Sequence, residues 1–295
     1  MVELDLREAW ADLLRRRPSF APTLSVYDPI IESWARWSPP RPLGLTLGVD
    51  ACRDSWVRGV PLTDAAAHTL LASDVEELLG SAMETLAQVQ PSLAGGFERL
   101  AAAWDAGRLG PAALLPVRGR IGSGAIEEAT GLGRDVVALL AMFGLRPPLS
   151  ALFAPLRAHL VEGRWELGIC PFCGGPPGFT DVVEDGRRRL ACHLCGEGWV
   201  FTKLRCPFCG IEGARHIVRL LPEEAREEGY VISACRSCRA YLKEVDRRAR
   251  WDAGPAIVED WGTPHYDLVA LGQGFWRPIP SLLSWIQRGR ITLEP

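Results

Sequence analysis

Hydrophobic residues in the first half of the chain recur every three or four positions, which is the spacing of one face of an α-helix. The clearest stripe runs from Val75 to Leu86. Ser73 precedes it and Glu76 follows three residues later, a pattern typical of a capping box in which Ser73 accepts a hydrogen bond from the Glu76 amide. Similar stripes run through Leu4–Leu14, Phe97–Trp104, Val136–Phe143 and Leu149–Leu160.

A stop signal divides the last two of these stripes. Gly144 is followed by Pro147 and Pro148, and a proline removes a helical hydrogen bond and clashes with the preceding turn. We therefore expect one helix to end near Gly144 and a separate helix to run on to Gly163. Residues 1–163 are predicted to form an all-helical domain of six to eight helices.

After Trp165 the pattern changes to short alternating segments bounded by turn residues, which predicts strands. Asp185-Gly186 separates Phe179–Glu184 from Arg187–Ala191 and predicts a hairpin with a two-residue turn, both of whose positions have positive φ. Further strands are predicted at Trp199–Arg205, His216–Leu221 and Tyr230–Ala234, with an acidic loop at Pro222–Gly229, and two short helices are predicted near the end from Leu268, Val269, Leu271, Leu282, Leu283 and Ile286.

The composition is that of a globular protein with a hydrophobic core. The chain has 295 residues, of which 47% are hydrophobic and 23% charged, and its net charge is -3. This charge argues against a protein built mainly to neutralise nucleic-acid phosphates. No apolar run reaches the ~18–20 residues that span a bilayer, and the N-terminus lacks the basic start and apolar stretch of a secretory signal. The sequence therefore predicts a cytoplasmic protein without a membrane span.

The nine cysteines are unevenly placed. Cys52 stands alone, and a lone cysteine is usually a small buried hydrophobic residue. In a reducing cytoplasm, paired cysteines at close spacing indicate metal binding rather than disulfides. The other eight form four Cys-x-x-Cys pairs within 69 residues: Cys170 and Cys173, Cys192 and Cys195, Cys206 and Cys209, and Cys235 and Cys238.

Each Cys-x-x-Cys pair predicts a tight turn, or knuckle, that directs both sulfurs to one point. A glycine often follows a knuckle because positive φ is useful there, and this holds for the first three knuckles, whereas Arg239 follows the fourth. Eighteen residues, including the predicted hairpin, separate the first knuckle from the second, and twenty-five separate the third from the fourth. Only ten residues lie between the second and third, where a strand is predicted, so nested pairing is disfavoured. Sequential pairing gives one tetrahedral site from Cys170, Cys173, Cys192 and Cys195 and another from Cys206, Cys209, Cys235 and Cys238.

Four cysteine ligands close each site to water and substrate, which argues against metal-assisted hydrolysis and against an enzyme. Two interpretations of the ion remain open. Zn²⁺ would act as a structural staple for ribbons that bury too little apolar surface to fold alone, whereas iron would make the centres redox-active, as in rubredoxin. The chemistry favours the staple and predicts two ions, Zn²⁺ or iron, per chain.

These patterns together predict an α+β fold in four parts. An N-terminal all-helical domain (1–163) precedes two tandem four-cysteine metal modules of rubredoxin-like or zinc-ribbon type (164–200 and 201–250). A C-terminal segment of short helices (251–295) is predicted to pack on the rest.

The knuckles and their flanks resemble the family of the formate dehydrogenase accessory protein FdhE. The resemblance covers about 165–280, whereas over 1–160 only helical character and length match. It is carried by Cys170-Pro-Phe-Cys-Gly-Gly-Pro-Pro, Leu190-Ala-Cys-His-Leu-Cys-Gly-Glu-Gly-Trp199, Leu204-Arg-Cys-Pro-Phe-Cys209, Ala234-Cys-Arg-Ser-Cys-Arg-Ala-Tyr-Leu-Lys243 and Asp260–Trp276. The resemblance implies a cytoplasmic maturation factor that binds the catalytic subunit of formate dehydrogenase and holds metal, associated with iron, on the eight paired cysteines.

Two other functions remain open. The basic clusters Arg187–Arg189 and Arg247–Arg250 would suit a zinc-ribbon nucleic-acid-binding protein, although such runs are usually solvated faces. The ligand set would also suit a rubredoxin-like electron-transfer protein. No small-molecule substrate is indicated.

Some residues near the knuckles have two interpretations each. His193 lies inside the second knuckle and is predicted to be a solvent-facing spacer rather than a ligand. Phe172, Trp199, Phe201 and Phe208 are candidates for a client-binding face, since aromatic residues are favoured at interface cores. Simple packing over the ribbons is the favoured interpretation of these residues.

Overall fold

The computed structural model describes residues 5–117, 119–122, 124–161, 163–222 and 227–283. Within these ranges the first half of the chain forms nine α-helices, two of them single turns, joined by loops and short 3₁₀ helices. The predicted helical character of this half is confirmed. The helices are α1 (Leu6–Arg16), α2 (Ala21–Leu24), α3 (Asp28–Arg36), α4 (Val49–Val57), α5 (Leu62–Ala65), α6 (Glu76–Val89), α7 (Ala94–Asp105), α8 (Gly124–Thr130) and α9 (Arg134–Phe153).

The start of α6 differs from the predicted capping box. No side chain caps this helix, and Val75 is the residue before it. The carboxylate of Asp74 instead accepts hydrogen bonds from the Leu71 amide (2.7 Å) and from Arg41 Nη2 (2.6 Å). Asp74 is buried, and a buried carboxylate needs such partners. The predicted cap at Ser73 was wrong, because the carboxylate of the neighbouring Asp74 instead hydrogen-bonds to the Leu71 amide in the turn before α6.

The predicted helix end at Gly144 was also wrong, because α9 continues through Pro147 and Pro148 to Phe153. Proline has no amide hydrogen, so Pro147 leaves the carbonyl of Phe143, four residues earlier, without its helical donor. The indole Nε1 of Trp34 on α3 donates to that carbonyl at 2.7 Å. Gly144 serves packing instead, since a Cβ there would lie 2.5 Å from Leu79 Cδ2 on α6.

One helical stretch among the described residues, Arg134–His159, is long and apolar enough to cross a membrane. It consists of α9 and the 3₁₀ turn that follows it. However, 78% of its most apolar window is buried inside the protein. It is therefore the central core helix of the helical half, and no clear membrane span is present in the described part of the chain.

The second half contributes six strands to one sheet. The strands are β1 (Pro177–Val182), β2 (Arg188–Cys192), β3 (Gly198–Phe201), β4 (Ile217–Leu220), β5 (Tyr230–Cys235) and β6 (Tyr241–Asp246). Their order is β3-β2-β1-β6-β5-β4. All pairs are antiparallel except β1 with β6, where Thr180 lies opposite Glu244. Two three-stranded ribbons thus join edge to edge through one parallel pair.

The predicted hairpin between β1 and β2 is confirmed, but its turn differs. Among its central residues only Gly186 has a positive φ, +79°. The Gly186 amide donates to the Val183 carbonyl (2.8 Å), and the Val183 amide donates to the Arg187 carbonyl (2.9 Å). This is a three-residue loop ending in a left-handed glycine. The Asp185 carboxylate accepts from the Arg187 amide (2.9 Å), which keeps Asp185 out of the left-handed region.

The sequence did not predict β6, and β3 is shorter than the predicted Trp199–Arg205. Strand β6 has Lys243 and Glu244 at its centre, and both side chains are buried. Two charged residues obscure the apolar pattern of a central strand.

The C-terminal segment forms α10 (Ala256–Gly262) and α11 (Pro264–Gly272). Leu268, Val269 and Leu271 lie on α11 as predicted, α10 was not predicted, and Ile286 lies outside the described residues. Trp261 of α10 stacks on Tyr27 (ring centroids 4.1 Å apart) and lies edge-on to Phe143. One hydrophobic cluster therefore runs from the N-terminal helices through α10 to the first cysteines. The four predicted segment boundaries stay predictions.

A buried ionic network holds α10 and α11 on the sheet. Lys243 Nζ lies 2.7 Å from Asp267 Oδ2 and 3.1 Å from Asp260 Oδ1, and Arg277 Nη2 lies 2.5 Å from Asp260. The Tyr241 hydroxyl donates to Asp267 (2.7 Å). Burial opposes ionisation of Asp260, but Arg277 and Lys243 hold its pKa below the usual range. Two cations and two carboxylates thus balance in charge.

We expect Trp34→Phe to destabilise the protein by about 1–3 kcal/mol, because the buried Phe143 carbonyl loses the donor that replaces the missing proline amide. Urea unfolding followed by circular dichroism measures the change. Trp251→Phe is the control, since Trp251 is 86% exposed. Equal unfolding midpoints for the two variants would contradict the role given to Trp34.

We expect Lys243→Met to cost about 3–5 kcal/mol, since it leaves buried carboxylates uncompensated. The matched control is Lys203→Met, because Lys203 is exposed. Thermal unfolding of both variants, each loaded with metal, tests this expectation. A melting temperature for Lys243→Met that equals the control's would show that the network contributes little.

Candidate metal centres

All four knuckles share one backbone pattern. In each, the amide of the first cysteine donates to the carbonyl five residues later (2.8–2.9 Å). The amide four residues after that cysteine donates back to its carbonyl (2.9–3.2 Å). In both ribbons one knuckle precedes the first strand and the other lies between the second and third strands. The ribbons are therefore topological repeats, and each brings its two knuckles together.

The residue after each knuckle adopts the predicted left-handed conformation. Gly174, Gly196 and Gly210 have φ of +70°, +82° and +77°, and Arg239 has φ +62°. Arg239 is the only non-glycine residue with a positive φ among the described residues. A left-handed conformation costs a side chain roughly 1–2 kcal/mol. The backbone of the fourth knuckle is thus retained at a cost that glycine would avoid.

The sulfurs form the two quartets predicted by sequential pairing. The first quartet comprises Cys170, Cys173, Cys192 and Cys195, and the second comprises Cys206, Cys209, Cys235 and Cys238; within each, all sulfurs lie within 4.8 Å of one another. Hydrogen-bonded sulfurs are 3.4–3.6 Å apart in the first quartet and 3.6–3.8 Å apart in the second. Four sulfurs placed ~2.3 Å from one tetrahedral ion lie about 3.8 Å apart. The separations therefore suit a metal and exclude disulfides, whose sulfurs lie ~2.05 Å apart.

The first quartet is buried between the sheet and the helical half. The first turn of α5 is hydrogen-bonded to the first knuckle. The Leu62 and Thr63 amides donate to the carbonyls of Pro171 (3.2 Å) and Phe172 (3.1 Å). Trp56 Nε1 of α4 also donates to the Pro171 carbonyl (2.9 Å). These bonds fix the knuckle to the helices as firmly as to its own ribbon.

The second knuckle is held by two arginines of the helical half. Arg146 on α9 donates to the His193 carbonyl (2.9 Å), and Arg157 forms an ion pair with Glu197 (2.8 Å). Burial lowers the pKa of Arg146, while Cys192 and nearby acids oppose that shift. Arg146 therefore places a buried positive charge beside the sulfurs, where it would offset part of the negative charge of a four-thiolate centre. Sequence reasoning did not identify it, because nothing in the helical pattern marks it.

The thiols of the first quartet cannot all ionise unaided. Burial raises the pKa of Cys170 and of Cys195 well above the usual range. Burial also opposes ionisation of Cys192, but hydrogen bonds from the other three thiols hold its pKa well below that range. Such a set releases its protons when a cation is bound among the sulfurs.

The second quartet is open to solvent on one side. Cys206 and Cys235 are buried, whereas Cys209 is exposed and Cys238 is partly exposed. The backbone amides of Ser237 and Cys238 hydrogen-bond to the Cys235 sulfur and, against the effect of burial, lower its pKa. Burial raises the pKa of Cys238 to about 11. The two quartets thus share ligand type and geometry and differ in access.

Predictions for two single residues have clear outcomes. Cys52 has no exposed surface and lies in the helical core, as predicted. His193 is 2% exposed, so the prediction of a solvent-facing spacer was wrong; it packs against Gly178 in the sheet, and burial lowers its pKa to about 3. It is not part of either sulfur quartet.

Packing, the favoured interpretation of the four aromatic residues near the knuckles, is confirmed for three of them, and the alternative of a client-binding face is wrong for these three. Phe172, Trp199 and Phe201 are at most 5% exposed, and Phe208 packs partly buried against the same core. Alternate residues of a strand face opposite sides of the sheet, and these side chains face inward. Phe172, Trp199 and Phe201 belong to the hydrophobic cluster that contains the cysteines of the first quartet, whereas Phe208 lies beside Cys206 of the second.

Comparison with known proteins places the chain among relatives that carry one name. No protein-family model matches it. It is 33% identical over 127 residues to an FdhE homolog of Stutzerimonas stutzeri, 29% over 182 to one of Pseudomonas aeruginosa and 28% over 150 to one of Aquifex aeolicus. These matches cover 41%, 53% and 49% of this chain and 39%, 57% and 51% of the relatives. The chain thus spans about two fifths to somewhat over half the length of the curated relatives it matches.

The crystal structure of the FdhE protein from Pseudomonas aeruginosa has the same fold, with a TM-score of 0.56 over 95% of this chain and 94% of that one, at 21% identity.

The chain is therefore similar to FdhE proteins over part of its length and shares the fold of one of them.

In this chain the residues present fit two metal ions. In each quartet the four thiolates would be the complete ligand set, and the ion would supply a fixed tetrahedral cross-link between two knuckles. Both Zn²⁺ and iron accept such ligands.

We expect the chain loaded with two Zn²⁺ ions to release them to a chelator in two phases. The second quartet should lose its ion about tenfold faster or more, because the first quartet opens only when the helices and sheet separate locally. A colorimetric chelator measures the rates.

Cys209→Ser should abolish the fast phase, and Cys52→Ser is the control that should retain both equivalents. Release at one common rate, or a fast phase that survives in Cys209→Ser, would contradict this assignment.

Proposed function

We propose that this protein is a non-enzymatic accessory factor that binds the catalytic subunit of formate dehydrogenase, or of a related oxidoreductase, and assists its activation. The observation that carries the proposal is the pair of cysteine quartets, within a fold shared with an FdhE protein and a sequence partly similar to FdhE homologs. A cytoplasmic location belongs to the same proposal.

The closed ligand sets support binding rather than catalysis. With four sulfurs around each ion, no coordination position remains for water or substrate. The first quartet joins the helical half to the sheet, so its ion would hold both parts in one arrangement. A rigid two-part surface suits recognition of a folded partner, because little ordering is lost on binding.

The basic clusters give little support to nucleic-acid binding. Arg188 is 3% exposed and faces Glu244 across the joint between the ribbons (3.6 Å). Arg247 pairs with Asp181 (3.0 Å) and donates to the Ala253 carbonyl (2.8 Å). Both arginines therefore stabilise the fold rather than present charge to phosphates.

Electron transfer is a second candidate, favoured by the exposure of Cys209. A sulfur at the surface would bring a redox-active iron within reach of a partner. Protein purified without oxygen distinguishes the two: a coloured protein that bleaches on reduction supports electron transfer, and a colourless protein with two Zn²⁺ ions contradicts it.

We expect the immobilised chain to capture the purified formate dehydrogenase catalytic subunit, and expect Cys170→Ser and Cys206→Ser to reduce capture about tenfold or more, because each loses a ligand that shapes the surface. Cys52→Ser should capture normally. If the wild type captures no catalytic subunit, the proposed partner is wrong. If both ligand variants capture as well as the wild type, the quartets are not needed for binding.

A further inference from the structure

The exposed side of the second quartet is lined by basic side chains. We call it the second-quartet face and define it as residues 204–216, 236–239 and Trp276. Its basic residues are Arg205, Arg215, Arg236 and Arg239, and its acidic residue is Glu212. These side chains sum to +3, and four thiolates around a divalent ion would lower the sum to about +1, whereas the whole chain carries -3 before any metal centre is counted. The face is therefore positive on a chain of net negative charge.

A half-exposed tryptophan lies beside the fourth knuckle on this face. Trp276 is 50% exposed, yet three hydrogen bonds fix it. Its indole Nε1 donates to the Cys238 carbonyl (2.8 Å), its amide donates to the Arg239 carbonyl (2.9 Å), and its carbonyl accepts from the Tyr241 amide (3.2 Å). A rigid tryptophan offers a large apolar contact with little loss of conformational freedom on binding.

Arg239 explains how the tryptophan is held. Its guanidinium donates to the carbonyls of Gln273 (2.6 Å) and Gly274 (3.1 Å) and lies 3.9 Å from the centroid of the Phe275 ring. It fastens the 273–276 loop to the fourth knuckle. Glycine would relieve the left-handed strain at this position but would lose all three contacts. Strain retained at one position is a reason to look for function there.

We propose that the second-quartet face is the surface that docks an acidic segment of the partner protein, with Trp276 as its apolar anchor and Arg239 as the residue that positions Trp276. This inference rests on the proposed function, because the partner is the catalytic subunit named there. Leu204, 49% exposed beside the third knuckle, adds apolar surface within the basic rim. Positive charge around an apolar centre selects acidic partners and speeds their encounter.

A protein segment is favoured over a nucleic acid as the occupant. Single-stranded nucleic acid is usually bound by several aromatic residues along a continuous basic groove. The second-quartet face instead presents one fixed tryptophan and one exposed leucine within a compact rim, on a chain of net charge -3.

The test measures the affinity of purified, metal-loaded chain for the purified catalytic subunit at low and high salt, about 50 mM and about 300 mM. We expect Trp276→Ala to weaken binding about tenfold or more, as for a central anchor. The matched control is Trp251→Ala, because Trp251 is more exposed (86%) but lies after the opposite end of β6. Its affinity should equal that of the wild type.

Charge reversal tests the rim without touching the core. The double variant Arg215→Glu with Arg236→Glu should weaken binding about tenfold or more at low salt and less at high salt, since salt screens exposed charges. Arg134→Glu, at the start of α9 with a 66% exposed side chain, is the control and should bind normally.

Arg239→Gly separates positioning from a merely structural role. It should keep two metal ions and a thermal stability close to that of the wild type, because relief of the left-handed strain offsets the contacts that are lost, while affinity for the catalytic subunit falls about fivefold or more. A loss of metal or stability with unchanged affinity would overturn the positioning role.

The outcomes distinguish this inference from the function on which it rests. If the wild type fails to bind the catalytic subunit, the proposed function fails and the docking surface falls with it. If the wild type binds and the Trp276 and rim variants bind equally well, the docking surface alone is overturned. Tight binding of a ~20-nucleotide single strand that the rim variant abolishes would assign the face to nucleic acid and also overturn the proposal.

Discussion

Four buried thiols within 4.8 Å of one another are the constraint on which the rest of the structure depends. They cannot share that space as four anions without a cation, and burial makes ionisation harder still. The first quartet lies where helices, sheet and α10 meet in one hydrophobic cluster. Binding of an ion among these thiols would therefore hold the junction between the two halves together. Arg146, on the longest helix of the described residues, would offset part of the negative charge of the thiolates. The buried ion pairs around Lys243 play a parallel role where α10 and α11 pack on the sheet.

The cysteine spacing was sufficient to predict the quartets, because a Cys-x-x-Cys turn is a local feature and its pairing needs only a short hairpin. The helical half and the hairpin at Gly186 were predictable for the same reason. Long-range contacts were not predictable. Pro147 reads as a helix end unless the distant Trp34 is known to replace its missing amide, and β6 reads as a polar segment unless Asp260 and Asp267 are known to neutralise Lys243. Arg188 and His193 were misjudged similarly, since burial of a polar residue depends on partners elsewhere in the chain.

The two ribbons repeat one topology and one knuckle pattern, but their neighbours differ. The first is covered by α4, α5 and α9, so its aromatic residues face the core. The second packs against α11 and the 273–276 loop and leaves Cys209 in solvent. Duplication of a small module, followed by burial of one copy, would account for this difference. The first copy packs against the helices, and the second leaves part of its metal site exposed to solvent. Arg239, where the other knuckles have glycine, belongs to the exposed copy.

The position of Trp261 has a consequence for synthesis on the ribosome. This side chain fills the space between Tyr27 and Phe143 in the helical half, yet it is made after all eight paired cysteines. Until α10 emerges, the nascent helices expose an aromatic cleft, and exposed apolar surface of this kind promotes aggregation. Chains that end before α10 would therefore lack a complete hydrophobic core in the helices that are translated first. The N-terminal helices, although first to be translated, are among the last to acquire their complete core.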